Sequence, residues 1–398
     1  MTIEVRDIFS PMTTEEFLNT VWGLRPHVIS RNDARFRDVL PWQVLNDILA
    51  SNRLDYTRFR LTKEGRNIPA EAFLSFEQTR VGTSVTRLNV AGLHQQVADG
   101  ATLVLDAAEE MVSTIDALAG ELERLLGEYV RAHVFVGWQN SQGLATHWDA
   151  HDVLLLQVHG SKDWTIYEPT REHPMLRDIE FDDFPEDTKP YLSVRLNPGD
   201  FLYIPRGWWH DSRPCGEPTL HVSFSVKKRT GIDYIEALSE KLCEDVFLRA
   251  DVPRFATADQ KDLYIRQLRE RVISAIDTLP LDRYLDEQNS RASLGRQPSL
   301  PWPGVQEDLT WLRPDSLLSP QIRRNIALQH DGENITIAAG GKEYTLGIAA
   351  QPILKFVVQG RPAILADILA QSEASGASTA ESVELLQQLV SAGLISAR

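Results

Sequence analysis

THWDAHD occupies residues 146–152, and NPGDFLYIPRGWWHDS follows at 197–212. His147 and Asp149 are two positions apart, and on a β-strand such residues project from the same face. This predicts an imidazole and a carboxylate side by side on one wall. His210 follows a Pro-Gly-Asp turn, a short apolar run from Phe201 to Ile204 and an Arg-Gly bend, so a neighbouring strand can return it to the same point. Two histidines and one carboxylate on one face of a metal ion suit Fe(II) and leave the opposite positions open.

His151 extends the run to H-x-D-x-H. On a strand, positions i and i+4 lie roughly 13 Å apart at about 3.3 Å per residue. Ligand bonds of about 2 Å cannot bridge that span. The third ligand must come from another strand; His210 is the expected one and His221 the competitor.

The surroundings of these residues predict many short strands. RAHVFVGW, DVLLLQVHG, DWTIYEP, YLSVRLN, DFLYIP and TLHVSFSV are separated by NSQG, GSKD, NPGD and RPCGEP. Such punctuation predicts an antiparallel barrel or a double-sheet jelly roll. In the last strand His221, Ser223 and Ser225 alternate with Leu220, Val222 and Phe224, giving one polar and one apolar face. The polar face is expected to line a wet cavity; the competing reading turns it to solvent. Lys162, in HGSKDW, is a point charge suited to a carboxylate if it faces that cavity, and an ordinary turn lysine if it does not.

Outside residues 131–228 the period changes. Helical spacing marks 14–22 and 107–129, and Leu103–Leu105 reads as a short strand. Two helical stripes follow the barrel: Ile235, Leu238, Leu242 and Val246, then Ile265, Leu268, Val272 and Ile276. Residues 287–304 read as a Ser-, Gly- and Pro-rich linker. Beyond it come a hairpin around Gly340-Gly341 and two helices at 361–371 and 379–392. The division expected is 1–228 for the catalytic core with its N-terminal elements, 229–298 for a helical region and 299–398 for a C-terminal domain.

Composition narrows the classes. Hydrophobic residues make up 42% and charged residues 24% of 398, as in a soluble globular protein. No apolar run reaches the ~18 residues of a membrane span, and the N-terminus lacks a secretory pattern. Two cysteines, Cys215 and Cys243, fit a reducing compartment, so a cytoplasmic location is expected. A net charge of −15 opposes nucleic-acid coating and suits a basic partner. Residues 301–398 carry seven Lys/Arg against ten Asp/Glu, so direct nucleic-acid binding by that part is not expected. Two features point to the substrate side. The acidic insert at 178–187 separates the two halves of the metal motif, although charge runs are commonly solvated loops. Trp148, Trp208 and Trp209 adjoin the ligands and serve either to dry the pocket and stack on substrate or simply to pack.

The block HVFVGWQNSQGLATHWDAHDVLLLQVHGSKDWTIYEP at 133–169, with LNPGDFLYIPRGWWHDS at 196–212 and LHVSFSV at 220–226, resembles the JmjC-type cupin oxygenases, especially the ribosomal-oxygenase branch. FLNTVWGLRPHVISR at 17–31 is similar to that branch's entry segment. The resemblance implies a mainly β double-stranded β-helix core with flanking helices, a helical homodimerisation region and a C-terminal winged-helix-like domain. It implies Fe(II) on His147, Asp149 and His210, and 2-oxoglutarate held by Lys162 with Ser225 and His221. His133 stands where the family often has Asn near the cosubstrate, and Phe135 where a Tyr occurs. The implied activity is hydroxylation of a side chain in a protein or peptide. The alternatives are N-methyl demethylation on the same fold and a non-enzymatic metal-binding cupin regulator.

Overall fold

The computed structural model describes residues 4–397 apart from 32, 79, 83, 182–183, 186–187 and 293–311. The chain divides into two compact units, Met1–Lys228 and Arg229–Arg398.

The first unit opens with α1 (Val5–Phe9), α2 (Thr14–Thr20), β1 (His27–Ile29), α3 (Trp42–Ser51), β2 (Phe59–Lys63), β3 (Arg66–Asn67), β4 (Leu74–Gln78), β5 (Ser84–Leu88), α4 (Val90–Ala98), β6 (Thr102–Asp106) and α5 (Ser113–Leu126). The motif-bearing strands follow: β7 (Tyr129–Gly137), β8 (Asp152–His159), β9 (Lys162–Tyr167), β10 (Leu192–Leu196), β11 (Phe201–Ile204), β12 (Trp209–Pro214) and β13 (Thr219–Lys227). One sheet has the order β1-β11-β8-β13-β7-β6-β2-β3, and a smaller one β10-β9-β12. The two sheets meet through Val153, Leu155, Leu202 and Ile204 on one side and Trp164, Ile166 and Leu196 on the other. This is a mainly β core with flanking helices, as the turn-punctuated strands predict.

β8 reads DVLLLQVH and is buried on both faces, as expected of a central strand covered by a core on one side and a second sheet on the other. β13 separates its faces. Leu220, Val222, Phe224 and Val226 join the main hydrophobic core with α1, α2 and α5. His221, Ser223 and Ser225 line the cavity between the sheets, so the polar face is interior. Each fully buried core side chain of this kind contributes roughly 1.5–3 kcal/mol.

Close packing fixes the β8–β9 turn. Gly160 has φ +58, and a Cβ there would stand 2.1 Å from the Pro218 carbonyl oxygen. The N-terminal segment backs β11: Phe17 packs edge-on to Tyr203 at 5.2 Å, and Trp22 stacks on the same ring at 5.4 Å. Tyr203 donates to the buried Asp152 carboxylate, which also accepts from the Arg206 amide at 3.1 Å and pairs with Lys228 at 2.8 Å. These contacts anchor the start of β8 to the bend leading into β12.

The second unit begins with α6 (Gly231–Leu242), α7 (Val246–Arg249), α8 (Ala258–Thr278) and α9 (Leu281–Arg291). It continues with β14 (Leu317–Pro320), β15 (Gln329–His330), β16 (Asn334–Ala339), β17 (Lys342–Gly347), α10 (Gln351–Gln359), β18 (Ala363–Ile364), α11 (Leu365–Ala374), α12 (Thr379–Ser391) and β19 (Ile395–Ala397). The hairpin around Gly340-Gly341 is β16–β17. α10 lacks a counterpart in the pattern reading, and the helix expected at 361–371 starts only at Leu365 because 363–364 pair with β14. The expected linker is helical at its start, through α9, while 293–304 lies outside the described residues. The first helical stripe is broken between α6 and α7, and of its four residues only Leu238 is buried. No helix among the described residues is long and apolar enough to cross a membrane.

Candidate metal centre

His147 lies outside any regular strand, contrary to the i, i+2 strand geometry expected for HWD. It forms an isolated antiparallel bridge with His210. Its N–H donates to the His210 carbonyl at 3.1 Å, and the His210 N–H donates back at 2.8 Å. Two residues on, the Asp149 carbonyl accepts from the Gly207 amide at 2.9 Å. The HWD arm is thus laced to the bend and strand that carry His210. His210 does lie on a neighbouring strand, as expected; the bounds of β12 are not marked in the sequence, because Arg-Gly-Trp-Trp-His-Asp-Ser has no alternation of apolar and polar residues.

Their ligand atoms converge. One nitrogen or oxygen from each of His147, Asp149 and His210 lies within 4.8 Å of the others. His210 Nε2 is 3.6 Å from Asp149 Oδ2, and the two imidazole centroids are 4.5 Å apart. Both rings are held alike. His147 Nδ1 bonds the Ala145 carbonyl at 2.8 Å, and His210 Nδ1 bonds the Trp208 carbonyl at 3.0 Å. A carbonyl only accepts, so each Nδ1 carries the proton and each Nε2 keeps a lone pair for a metal. Burial pushes His210 down to about 4, which keeps it neutral. Burial alone would raise Asp149, but His151, His210 and His147 outweigh it and hold the carboxyl below its usual range. Two imidazoles that present Nε2 and a carboxylate are a fitting donor set for Fe(II).

The triad opens on a cavity of about 310 Å³ that also contains Lys162, Ser225, His221 and His133. Lys162 is 6% exposed, and burial lowers it to about 7. Its ammonium lies 5.5 Å from the Trp164 ring centroid. His221 is buried, stacks on Phe135 at 4.8 Å, and among the described residues has no hydrogen-bond partner for Nδ1. Burial first, and then the charge of Lys162, pushes it well below the ordinary imidazole value. An uncharged imidazole with an orphaned nitrogen beside a buried lysine is a cradle for an anionic group.

Two residues beside the cavity, Arg60 and Asp106, carry no sequence signal. His133 bonds Asp106 through Nδ1 at 2.6 Å, and Asp106 pairs with Arg60 at 3.1 Å. The β6–β7 register sets Asp106 opposite His133, and the β2–β6 pairing brings Arg60 alongside. His151 also lines the cavity, its Nε2 3.9 Å from Asp149 Oδ2.

Of the two readings of the tryptophans, packing is the one the described contacts fit. Trp148 and Trp209 are buried, Trp209 donating to Thr170 at 3.1 Å. Trp208 packs against Tyr191 at 4.8 Å. The indole that lines the cavity is Trp164. Of the acidic insert, Asp182, Asp183, Glu186 and Asp187 lie outside the described residues. Asp178 accepts from the Met175 amide at 2.8 Å.

Residues 111–234 match the JmjC domain family. This segment is a JmjC domain. The match spans the triad, Lys162 and β13. The chain is similar to the bifunctional lysine-specific demethylase and histidyl-hydroxylase NO66 of Culex quinquefasciatus, with 26% identity over 270 residues, covering 62% of this chain and 38% of that protein. It is similar to ribosomal oxygenase 1 of Bos taurus, with 26% identity over 258 residues, covering 62% and 37%. The chain therefore spans well under half the length of these relatives. Among solved structures, the JmjC domain and its flanking elements share their fold with the Escherichia coli ribosomal oxygenase YcfD. The TM-score is 0.63 at 16% identity, over 97% of this chain and 98% of that one. A structure of YcfD in complex with cobalt and 2-oxoglutarate aligns with the same TM-score at 17% identity, over 96% and 98%.

Proposed function

We propose that the JmjC domain makes this chain an Fe(II)- and 2-oxoglutarate-dependent oxygenase that hydroxylates an amino-acid side chain in a protein or peptide. The observation that carries this reading is the convergence of His147, Asp149 and His210 at one cavity with the buried Lys162. The presence of cobalt and 2-oxoglutarate in YcfD supports it, as do the histidyl-hydroxylase and ribosomal-oxygenase names of the relatives.

His147, Asp149 and His210 would hold Fe(II), which when bound supplies open coordination positions for a keto acid and oxygen. The rest is done by this chain's side chains. Lys162 binds the distal carboxylate of 2-oxoglutarate as a point charge. Ser225 offers a hydroxyl, and the His221 imidazole offers its unpartnered nitrogen. His133, fixed by Asp106, adds a polar contact on the β7 wall. Trp164, Phe135 and Val153 keep the cavity dry between these groups, which strengthens each polar contact.

The substrate proposed is a basic segment, on the strength of the −15 net charge. A homodimer through 229–298 is proposed from the apolar surface of α6–α9. Val246 on α7 is 78% exposed, and in the connection between α7 and α8 Val252 is 73% and Phe255 97% exposed; exposed apolar surface of this kind is what an interaction site presents. The antiparallel β18-β14-β19 sheet with α10–α12 supports the winged-helix-like reading of the C-terminal part.

Incubation with Fe(II), 2-oxoglutarate and a panel of basic, neutral and acidic peptides tests the reading. A mass gain of one oxygen atom with stoichiometric succinate is expected. Formaldehyde release from N-methylated peptides would establish demethylation instead. Metal binding with no 2-oxoglutarate consumption on any peptide would favour a non-enzymatic cupin.

A further inference from the structure

The peptide leading into His147 is held by the β2–β3 hairpin at the edge of the large sheet. At its tip the Glu64 N–H donates to the Gln142 carbonyl at 2.7 Å, and the Gly65 N–H donates to the Gly143 carbonyl at 3.1 Å. Gly65 has φ +75, and a Cβ built on it would stand 2.7 Å from the Cβ of Ala145. That position needs glycine twice over, for its left-handed backbone and for the approach of the next chain. The opposite side is equally close. A Cβ on Gly143 would stand 2.4 Å from Thr102 Oγ1 on β6. Residues 142–145 are therefore gripped between the hairpin tip and β6.

Ala145 is also the residue whose carbonyl accepts from His147 Nδ1 at 2.8 Å. The atom that sets the tautomer and ring direction of a metal ligand thus belongs to the residue that Gly65 touches. We infer that the β2–β3 hairpin tip is a positioning element for the metal centre, acting from Gly65 through Ala145 on the orientation of His147. The inference rests on the metal-binding reading of the triad. Gly65 and Ala145 need touch neither substrate nor metal for it. A shift of the Ala145 carbonyl by a few tenths of an ångström changes where the His147 Nε2 lone pair points. Outer-shell partners that orient a ligand typically account for about 10- to 100-fold in metal affinity.

The test uses the full chain and Co(II) as the probe metal. Four variants are compared with the parent: Gly65→Ala; Gly65→Asn, since Asn tolerates the left-handed region; the double change Gly65→Ala with Ala145→Gly; and Gly82→Ala. Gly82 has φ +80 with no atom of the described residues within 4 Å of a built Cβ, so it reports backbone strain without a contact among them. Calorimetry gives the Co(II) affinity, and hydrogen exchange of residues 139–150 is followed in the metal-free protein. Gly65→Ala and Gly65→Asn should weaken Co(II) by about 10- to 100-fold and speed exchange of that segment. Gly82→Ala should do neither, and removing the Ala145 methyl should restore most of both. Parent-like affinity and exchange in both Gly65 variants would overturn the inference. So would a loss of equal size in the double variant, since backbone strain alone would then explain it. If Gly65→Ala does not fold, Gly65→Asn and the double variant decide the outcome by the same criteria. A parent chain that binds no Co(II) would defeat the metal reading, while the exchange data would still judge the grip on 142–145.

Discussion

His147 and His210 exchange both of their backbone hydrogen bonds, at 3.1 and 2.8 Å, while their imidazoles lie 4.5 Å apart on the same side of that bridge. The backbone pairing and the ligand pairing are one event. The bridge brings the two imidazoles to one point, and Asp149, two residues on, is held beside them by its carbonyl accepting from the Gly207 amide at 2.9 Å, so the HWD arm needs no regular strand of its own.

Substitution of the third ligand follows directly. His210→Ala should lose Fe(II) or Co(II) binding by more than the ~100-fold that removal of an outer-shell partner produces, and turnover with it. His221→Ala should retain the metal. Titration by calorimetry or metal analysis after gel filtration checks the pair; the reverse result would make His221 the ligand.

Lys162 carries the second prediction. Lys162→Met keeps the aliphatic volume in its buried position and removes the charge. A charge-assisted hydrogen bond is worth about 1.5–3 kcal/mol, so the 2-oxoglutarate dissociation constant should rise about ten- to hundredfold. Metal affinity measured without cosubstrate should change little.

A pH dependence follows from the same lysine. Burial lowers Lys162 to about 7 in the free protein. A bound carboxylate favours the ammonium and raises that value, so binding takes up a proton between the free and bound values. Affinity for 2-oxoglutarate should be complete below pH about 7 and fall as pH rises through the bound-state value. Calorimetry in buffers of different ionisation enthalpy at pH 8 should register proton uptake, absent in Lys162→Met.

His221 should act on the cosubstrate alone. Its Nδ1 is buried without a partner among the described residues, and a newly satisfied buried polar group is worth about 1–3 kcal/mol. His221→Phe should therefore weaken 2-oxoglutarate by about 5- to 100-fold while leaving Co(II) affinity within a factor of about two. Separate metal and cosubstrate titrations distinguish the two effects.

The exposed faces of α6–α9 predict self-association. Light scattering at low micromolar concentration should give twice the 44.9 kDa chain mass. Replacing Val246 and Phe255 with Asp should shift the mass to that of one chain without altering helical content, because both residues are exposed in the single chain.

Much of this was legible in the sequence because it is local. β7, β8, β9, β10, β11 and β13 each announce themselves by a run or alternation of apolar residues bounded by turn residues. The donor types of the metal site stand in two short motifs. The alternation in β13 separates a packed face from a polar one within nine residues. The extent of β12 was not legible, because its residues follow ligand geometry and a bend rather than a period. Nor were Arg60 and Asp106, which lie on β2 and at the end of β6 without any local mark.

The sequence by itself determined which chemistry is available: two imidazoles, a carboxylate, a lysine and hydroxyls on short strands with strong side preferences. The tertiary structure alone decided which of them meet. His210 joins His147 through a bridge between distant segments, Asp106 meets His133 through the β6–β7 register, and Lys162 loses its water because two sheets close over it. Side-chain period is a property of neighbouring residues. Register and burial are set by packing between segments far apart in the chain, whose energies no local pattern records.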